Sequence, residues 1–506
     1  MENKRTHTIV KNTALLYIRS IIIIILSIYS SRVLLDTLGV ENFGVYNIVG
    51  GIVAMFLSLK SIFTASVQRF INYEKGAGNC EKVREIFSSS VYIHIAIALF
   101  FVFIAEIFGL YYIPRYLVLP DGMLSTALFV FHCSVVSTAV SIITIPYDAV
   151  IIANERMNFY AYLAICDVVL KLLIIFLLPL FPFEYLQSYV VLILLIAIIM
   201  RTLSMQYSKQ FPECKLKKIC DKGIVKQLTT FAGWNFLGCM VYSVVEEGTN
   251  MIINLFGGVT ANAARGIAYQ VRNAINSVSG NIVVASQPFI TQKAATVERD
   301  VFWQYIFQQS RAIYYIIIIT TFPIFLYAND ILNFWLNNIP DGTLNFVRAI
   351  LVYMVVMSFQ KPLDLAFKAY NCLALYQIVD SIILFCTLPV IYIILQMGFP
   401  LYYAFLIFSL LRIVDYVVVL FVAKYQIGLK IRMYILNVFC PAVICFVLIS
   451  IIGILFTLLP ETQNFLILVL YILLLLVVSS CSIYLFILNS NERMVVNSIL
   501  MKIFKI

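Results

Sequence analysis

Apolar runs long enough to cross a bilayer follow one another along almost the whole chain, from about residue 12 to about residue 488. Hydrocarbon offers no partner to an unpaired backbone N–H or C=O, so runs of this length have to be helical. The expected fold is therefore an all-α integral membrane protein with about 14 transmembrane helices. With 62% hydrophobic and 12% charged residues, the composition excludes a soluble domain.

The net charge of +10 would suit a nucleic-acid partner, but its placement points elsewhere. If the N-terminus is cytoplasmic, the inside segments collect Lys4, Arg5, Lys11, Lys75, Lys82, Arg84, Lys215, Lys217, Lys218, Lys222 and Lys226. The outside segments hold Arg115 and Arg348 among acids such as Glu41, Asp121, Glu184, Asp330 and Asp341. This is the positive-inside pattern, so the basic balance reads as topology, with an even helix count, both ends cytoplasmic and no nucleic acid. Lys4-Arg5 precedes a long apolar run that lacks an Ala-x-Ala-like site, which reads as an uncleaved first helix. The 11 cysteines have no metal-ligand spacing and read as free, apolar packing residues.

Residues 229–257 and 262–288 read as two spans joined by a very short turn, and they keep charges that lipid disfavours. Glu246 and Glu247 lie in the first, Arg265 and Arg272 in the second. Each costs about 2.5 to 3.5 kcal/mol near a span centre unless it faces water or a partner. Asn262, Arg265, Tyr269, Arg272, Asn276 and Ser279 follow at steps of three and four, which makes one polar face. Arg19 in the first span is a further cavity candidate, whereas Arg32 and Lys60 fit either a cavity or snorkelling to an interface. Asp167 and Lys171, at i and i+4, fit either a self-neutralising pair or a cavity role. His94, His132 and Glu106 show no ligand spacing, and the later spans carry Asp380, Arg412 and Asp415.

Landmarks recur. Gly39 matches Gly257 and Ala65-Ser66 matches Ala285-Ser286, at separations of 218 and 220 positions. Pro146, Asp148, Ala153 and Tyr160 match Pro362, Asp364, Ala369 and Tyr376, all 216 positions apart. Matches in order at nearly one offset argue for an internal repeat. The expected organisation is two pseudo-symmetric six-helix bundles, 1–207 and 229–424, joined by a basic cytoplasmic linker at 208–228. The linker would lie against anionic headgroups. Residues 425–506 add two helices and a cytoplasmic tail.

Arg32-Val33-Leu34-Leu35-Asp36-Thr37-Leu38-Gly39-Val40-Glu41-Asn42-Phe43-Gly44-Val45-Tyr46 and Asn262-Ala263-Ala264-Arg265-Gly266-Ile267-Ala268, within this two-bundle plan, resemble the polysaccharide transporter branch of the MATE-like (MOP) exporter superfamily. Within that branch the chain is similar to Wzx-type flippases of O-antigen and capsule repeat units. The resemblance implies alternating access around a central cleft in a bacterial plasma membrane. It implies as substrate an oligosaccharide on polyprenyl pyrophosphate, with polymerase and glycosyltransferase enzymes as partners. Arginine's forked donors suit phosphate oxygens, so Arg19, Lys60, Arg265 and Arg272 are the expected headgroup residues, with Tyr269 and Asn276 for sugars. No cofactor is implied. The resemblance also implies a coupling cation in the second half, where Glu246, Glu247, Asn250 and Asp380 can bind Na⁺ or share a proton, or else form ion pairs with Arg265 or Arg272.

Two other functions compete with this one. A multidrug exporter would share the fold but favours an acidic, aromatic cavity over a basic stripe. A membrane glycosyltransferase or polymerase usually needs a sizeable outside loop, and none is apparent. No P-loop, His-Glu-x-x-His or nucleotide-binding glycine motif is present, so the chain is read as a transporter and not an enzyme.

Overall fold

The computed structural model describes residues 2–57, 60–76, 78–154, 156–181, 184–216, 222–296, 298–370, 372–458, 464–490, 492–494 and 496–497. Within these it describes the side chains of all but residues 2–21, 54–57, 61–62, 65, 69, 73, 76, 157, 160–161, 222–239, 278–279, 281–289, 291–292 and 295–296. Among the described residues the secondary structure is entirely helical. Eleven helices among the described residues are long and apolar enough to cross a membrane, as expected of a multi-pass membrane protein. The chain forms two compact units, Met1–Gly266 and Ile267–Ile506.

The first unit contains α1 (Glu2–Leu57), α2 (Lys60–Gly76), α3 (Cys80–Tyr116), α4 (Leu124–Ile143), α5 (Ile145–Ala153), α6 (Met157–Leu177), α7 (Tyr185–Ser208) and the start of α8 (Lys222–Thr296). At about 1.5 Å per residue, α3 runs roughly 55 Å, well beyond a hydrocarbon core of about 30 Å. Near its N-terminal end Arg84 donates to the Pro212 carbonyl at 3.0 Å. Nearby, Lys75 pairs with Glu213 at 3.0 Å, which fastens the start of the basic segment after α7. The remainder of that segment, 217–221, lies outside the described residues.

Both long helices, α1 and α8, are broken by one glycine each. Gly39 has φ 76° and Gly258 has φ 62°, a region open to glycine at little steric cost. The turn expected at Gly257 is thus made by Gly258. Beyond the two breaks the helices touch backbone to backbone. A Cβ at Gly44 would collide with the Val259 carbonyl, and one at Gly266 would sit 2.7 Å from Asn47 Oδ1. At Gly51 it would sit 2.5 Å from Glu247 Oε2 and 2.9 Å from Asn250 Nδ2. Residues 44, 47 and 51 share one face of α1, so this is a small-residue seam of the kind that lets membrane helices approach closely.

After α4 the helix axis breaks at Thr144, whose hydroxyl donates back to Ser141 O at 3.0 Å, and Pro146 opens α5. Proline suits a first helical turn, so residues 145–153 form a helix of their own. Asp148 is thereby buried, at 3% exposure. Around it pack Val67, Ile71, Phe87 and Tyr147, with the last two rings edge-on at 5.2 Å.

The second unit continues α8 and adds α9 (Arg299–Leu326), α10 (Ala328–Trp335), α11 (Thr343–Met357), α12 (Gln360–Ala369), α13 (Leu373–Gln396), α14 (Tyr403–Ile427), α15 (Ile431–Tyr434), α16 (Cys440–Thr457) and α17 (Phe465–Ser482). The local break recurs after α11, where Ser358 donates back to Val355 O at 2.6 Å and Pro362 lies in the first turn of α12. Phe302, Trp303, Phe307, Phe367 and Tyr434 fill its core. The last two long helices dock on α9 through Tyr314, Tyr315, Cys445, Ile449 and Ile483. Arg311 fixes this arrangement, reaching Glu492 with two nitrogens at 2.7 Å and the Asn437 carbonyl with a third. The described cysteines are all free thiols.

Gly44→Ala is expected to destabilise the protein by about 1 to 3 kcal/mol, because backbone has to shift to admit the methyl group. Gly50→Ala, whose new Cβ meets nothing within 4 Å, serves as the control. Thermal unfolding in detergent should show a lower midpoint for the first and an unchanged midpoint for the second; equal midpoints would contradict the seam.

Candidate functional site

The polar side chains of the spans gather into separate sets. In the first unit, Asn250, Asn254 and Asn262 clamp the two arms of α8 around Gly258 and are essentially fully buried. Asn262 donates to the Asn250 backbone and side-chain oxygens at 3.0 and 2.8 Å, and accepts from Asn254 at 2.8 Å. Asn254 also holds the end of α3, accepting from Val118 N at 2.9 Å and donating to Val118 O at 3.2 Å. Buried amides demand this pairing, since each orphaned group costs about 1 to 3 kcal/mol. Asn250 is thus engaged inside the hairpin, and its Nδ2 donates to Glu247 at 3.0 Å. Glu246 accepts from the Tyr242 hydroxyl at 2.7 Å, while Arg265 donates to the Glu246 backbone carbonyl at 3.0 Å.

Lys60 sits in a second set. It pairs with Asp148 at 2.6 Å, and Asp148 also receives Arg201 at 3.4 Å and Ser204 at 2.7 Å. The expected headgroup lysine is therefore held by a carboxylate two elements away. Two cations on one acid leave a net positive charge, with Lys60 and Arg201 at 18% and 29% side-chain exposure. Arg19's side chain and Ser279's lie outside the described residues.

In the second unit Arg272 lies over the Tyr269 ring at 4.5 Å, and that ring meets Phe405 at 5.8 Å. One turn on, Asn276 accepts from Lys361 Nζ at 3.2 Å. Arg272, Tyr269 and Asn276 are thus brought together on one face of α8, with Lys361 of α12 added to them. Lys361 carried no sequence signal of its own, since only the packing of α12 on this face reveals it.

Asp380 belongs to a fourth set, with Gln360, Arg412 and Asp415. Gln360 Nε2 donates at 2.7 Å to Asp380 Oδ1 and also at 2.7 Å to Asp415 Oδ2. Arg412 Nη1 bonds the same two oxygens at 2.5 and 3.2 Å. Further charges in the described spans are paired as well. Glu106 meets His132 at 2.9 Å across α3 and α4, a pairing the sequence spacing did not suggest. Asp167 meets Lys171 at 2.7 Å, and His94 is buried with Nδ1 at 2.7 Å from Ser90 O. No group of three His, Cys, Asp or Glu side chains suited to a metal ion occurs among the described residues.

Neither a family model nor a curated protein matches the sequence. Solved structures do match the fold. The lipid II flippase MurJ in an inward closed conformation superposes with a TM-score of 0.71 at 14% identity, covering 93% of this chain and 98% of that one. An inward-facing multidrug resistance MATE family transporter of the MOP superfamily gives 0.69 at 11% identity, covering 80% of this chain and 94% of that one. A MOP superfamily transporter from Pyrococcus furiosus Vc1, described as having a binding pocket of reverse polarity, gives 0.63 at 12%, covering 83% and 96%. The chain has the MOP transporter fold. On that fold, the described charged residues of the spans occur as sets with specific partners rather than as isolated groups.

Removing the acid from the Lys60 set should leave two cations near one another in a largely buried place. Asp148→Ala is expected to cost at most about 3 to 5 kcal/mol, the range for breaking a buried pair. Lys60→Met in the same chain should restore part of the loss, as read by thermal unfolding. An Asp148→Ala protein as stable as the parent would show that the set contributes nothing.

Proposed function

We propose that this protein turns a polyprenyl-pyrophosphate-linked oligosaccharide from the cytoplasmic to the outer leaflet of a bacterial plasma membrane. It works by alternating access of two homologous six-helix bundles, 1–207 and 229–424, with the basic 208–228 segment between them and both termini cytoplasmic. The observation that carries this reading is the extent of the likeness: it runs over 93% of the chain for the lipid-linked flippase, against 80% for the multidrug transporter.

The chemistry of α8 supports the same reading. A pyrophosphate brings several anionic oxygens into a partly dehydrated place, and a guanidinium offers them paired donors. Arg272 and Arg265 supply such donors, Lys361 adds a point charge, and Lys60 and Arg19 contribute from the first bundle. Arg272 is steadied by the Tyr269 face, an arrangement worth about 0.5 to 2 kcal/mol. Tyr269 and Asn276 then stand beside the cations, where sugar hydroxyls adjoining the phosphate would lie. Coupling to Na⁺ or H⁺ is assigned to Glu246, Glu247, Asn250 and Asp380. The product would feed polymerisation of an O-antigen or capsule, beside a polymerase and downstream of glycosyltransferases.

In reconstituted vesicles, the intact protein is expected to move a polyprenyl-pyrophosphate oligosaccharide across the bilayer. Arg272→Ala should reduce the rate at least tenfold without loss of folded protein. Undiminished flipping in that variant would remove the basic face from the mechanism. Uptake of a cationic dye with no movement of the lipid-linked sugar would replace this reading with that of a multidrug exporter.

A further inference from the structure

The set around Arg412 has more acid than its one guanidinium can balance. Asp380 of α13 and Asp415 of α14 share a single donor, Gln360 Nε2, at 2.7 Å each, so twice that distance, 5.4 Å, is the most that can separate the two oxygens. Arg412 Nη1 spans the same two oxygens from its own side. Asp415 is completely buried and Arg412 nearly so, while the Asp380 side chain keeps 19% exposure. With both acids ionised the set carries one net negative charge inside a membrane span, and with one proton it is neutral. Two carboxyl groups this close do not both ionise readily.

A second observation shows where the proton fits. Asp415 Oδ1 is buried, and no donor reaches it among the described residues. The other oxygen of the pair, Oδ2, already takes Gln360 and Arg412. A proton on Oδ1 would neutralise this idle acceptor without displacing either bond to Oδ2. The groups around the pair leave that demand in place. Tyr353 of α11 lies near Arg412, and Tyr376 of α13 lies near both acids, with Asp364 of α12 beyond it. On α15, Tyr434 meets Tyr416, the residue after Asp415. The cation on α12 next to these groups, Lys368, is already paired with Asp364 at 2.6 Å.

We propose that Asp380 and Asp415, bridged by Gln360 and balanced by Arg412, form a one-proton exchange site within the second unit. The proton resides on the buried Asp415 and leaves through the more exposed Asp380: Asp415 passes it to the Asp380 carboxylate, and Asp380 passes it to water, giving hydronium and leaving both acids ionised against Arg412. A sodium ion suits the place poorly, because the guanidinium already occupies both bridging oxygens and would repel a metal beside it. The assignment gives Asp380 a specific partner and does not depend on the cargo. It rests on the transporter reading only for its coupling role, narrowing the ion to a proton.

The test is an infrared difference titration of the full-length protein in nanodiscs, without any cargo, so that it stands or falls separately from the flipping assay. The parent should show the loss of about one carboxylic C=O stretch per chain as pH rises. Asp415→Asn and Asp380→Asn each leave one acid paired with Arg412, and each should abolish that band while keeping the helical circular dichroism of the parent. If one variant fails to fold, the other carries the comparison. Replacing K⁺ by Na⁺ at fixed pH should leave the band unchanged. A titrating band that persists in the folded Asn variants, or no such band in the parent, would overturn the proposal, as would discharge of the band by Na⁺, which would make the pair an alkali-cation site.

Discussion

A charged side chain in hydrocarbon costs several kcal/mol unless something meets it, and the described spans of this protein are arranged around that cost. Lys60, Asp148, Arg201 and Ser204 meet where α2, α5 and α7 converge. Asp380, Gln360, Arg412 and Asp415 meet where α12, α13 and α14 converge. In each case a set joins three elements, so the polar groups that lipid would penalise also fix which helices are neighbours.

The glycine seam solves a different problem. Dispersion between helices falls off steeply with distance, and no hydrophobic force favours one apolar face over another inside a bilayer. Removing side chains at Gly44, Gly51 and Gly266 brings α1 and α8 within backbone reach, and the Asn250–Asn262–Asn254 clamp holds the broken α8 in the shape that fits. Glu247 is carried into this seam by the same fit. The breaks at Gly39 and Gly258, and the hydroxyl-capped breaks at Thr144 and Ser358, show one local device used at two places in the chain.

Much of this was legible in the sequence because it is local. Apolar length marks the spans, Gly39 marks a turn, and the three- and four-residue steps from Asn262 to Asn276 mark a polar face. The breaking glycine of α8 was misplaced by one residue, because Gly257 and Gly258 are chemically identical and only the backbone angle separates them. The partners were not legible. Ser204 and Asp148 lie 56 positions apart, Gln360 and Asp415 lie 55 apart, and His132 and Glu106 lie 26 apart, so no helical period links them. Asp380 joins Glu246, Glu247 and Asn250 by resemblance alone, and its hydrogen bonds to Gln360 and Arg412 lie beyond any sequence period.

The central claim is that this MOP-fold chain carries a lipid-linked anionic sugar. Native mass spectrometry of the detergent-released protein tests it directly by weighing what stays bound. Incubated with an equal mixture of polyprenyl-pyrophosphate oligosaccharide and a lipophilic cationic drug, the protein should retain one copy of the lipid-linked sugar, and free inorganic pyrophosphate should compete with it. Retention of the drug in preference to the lipid-linked sugar would contradict the account.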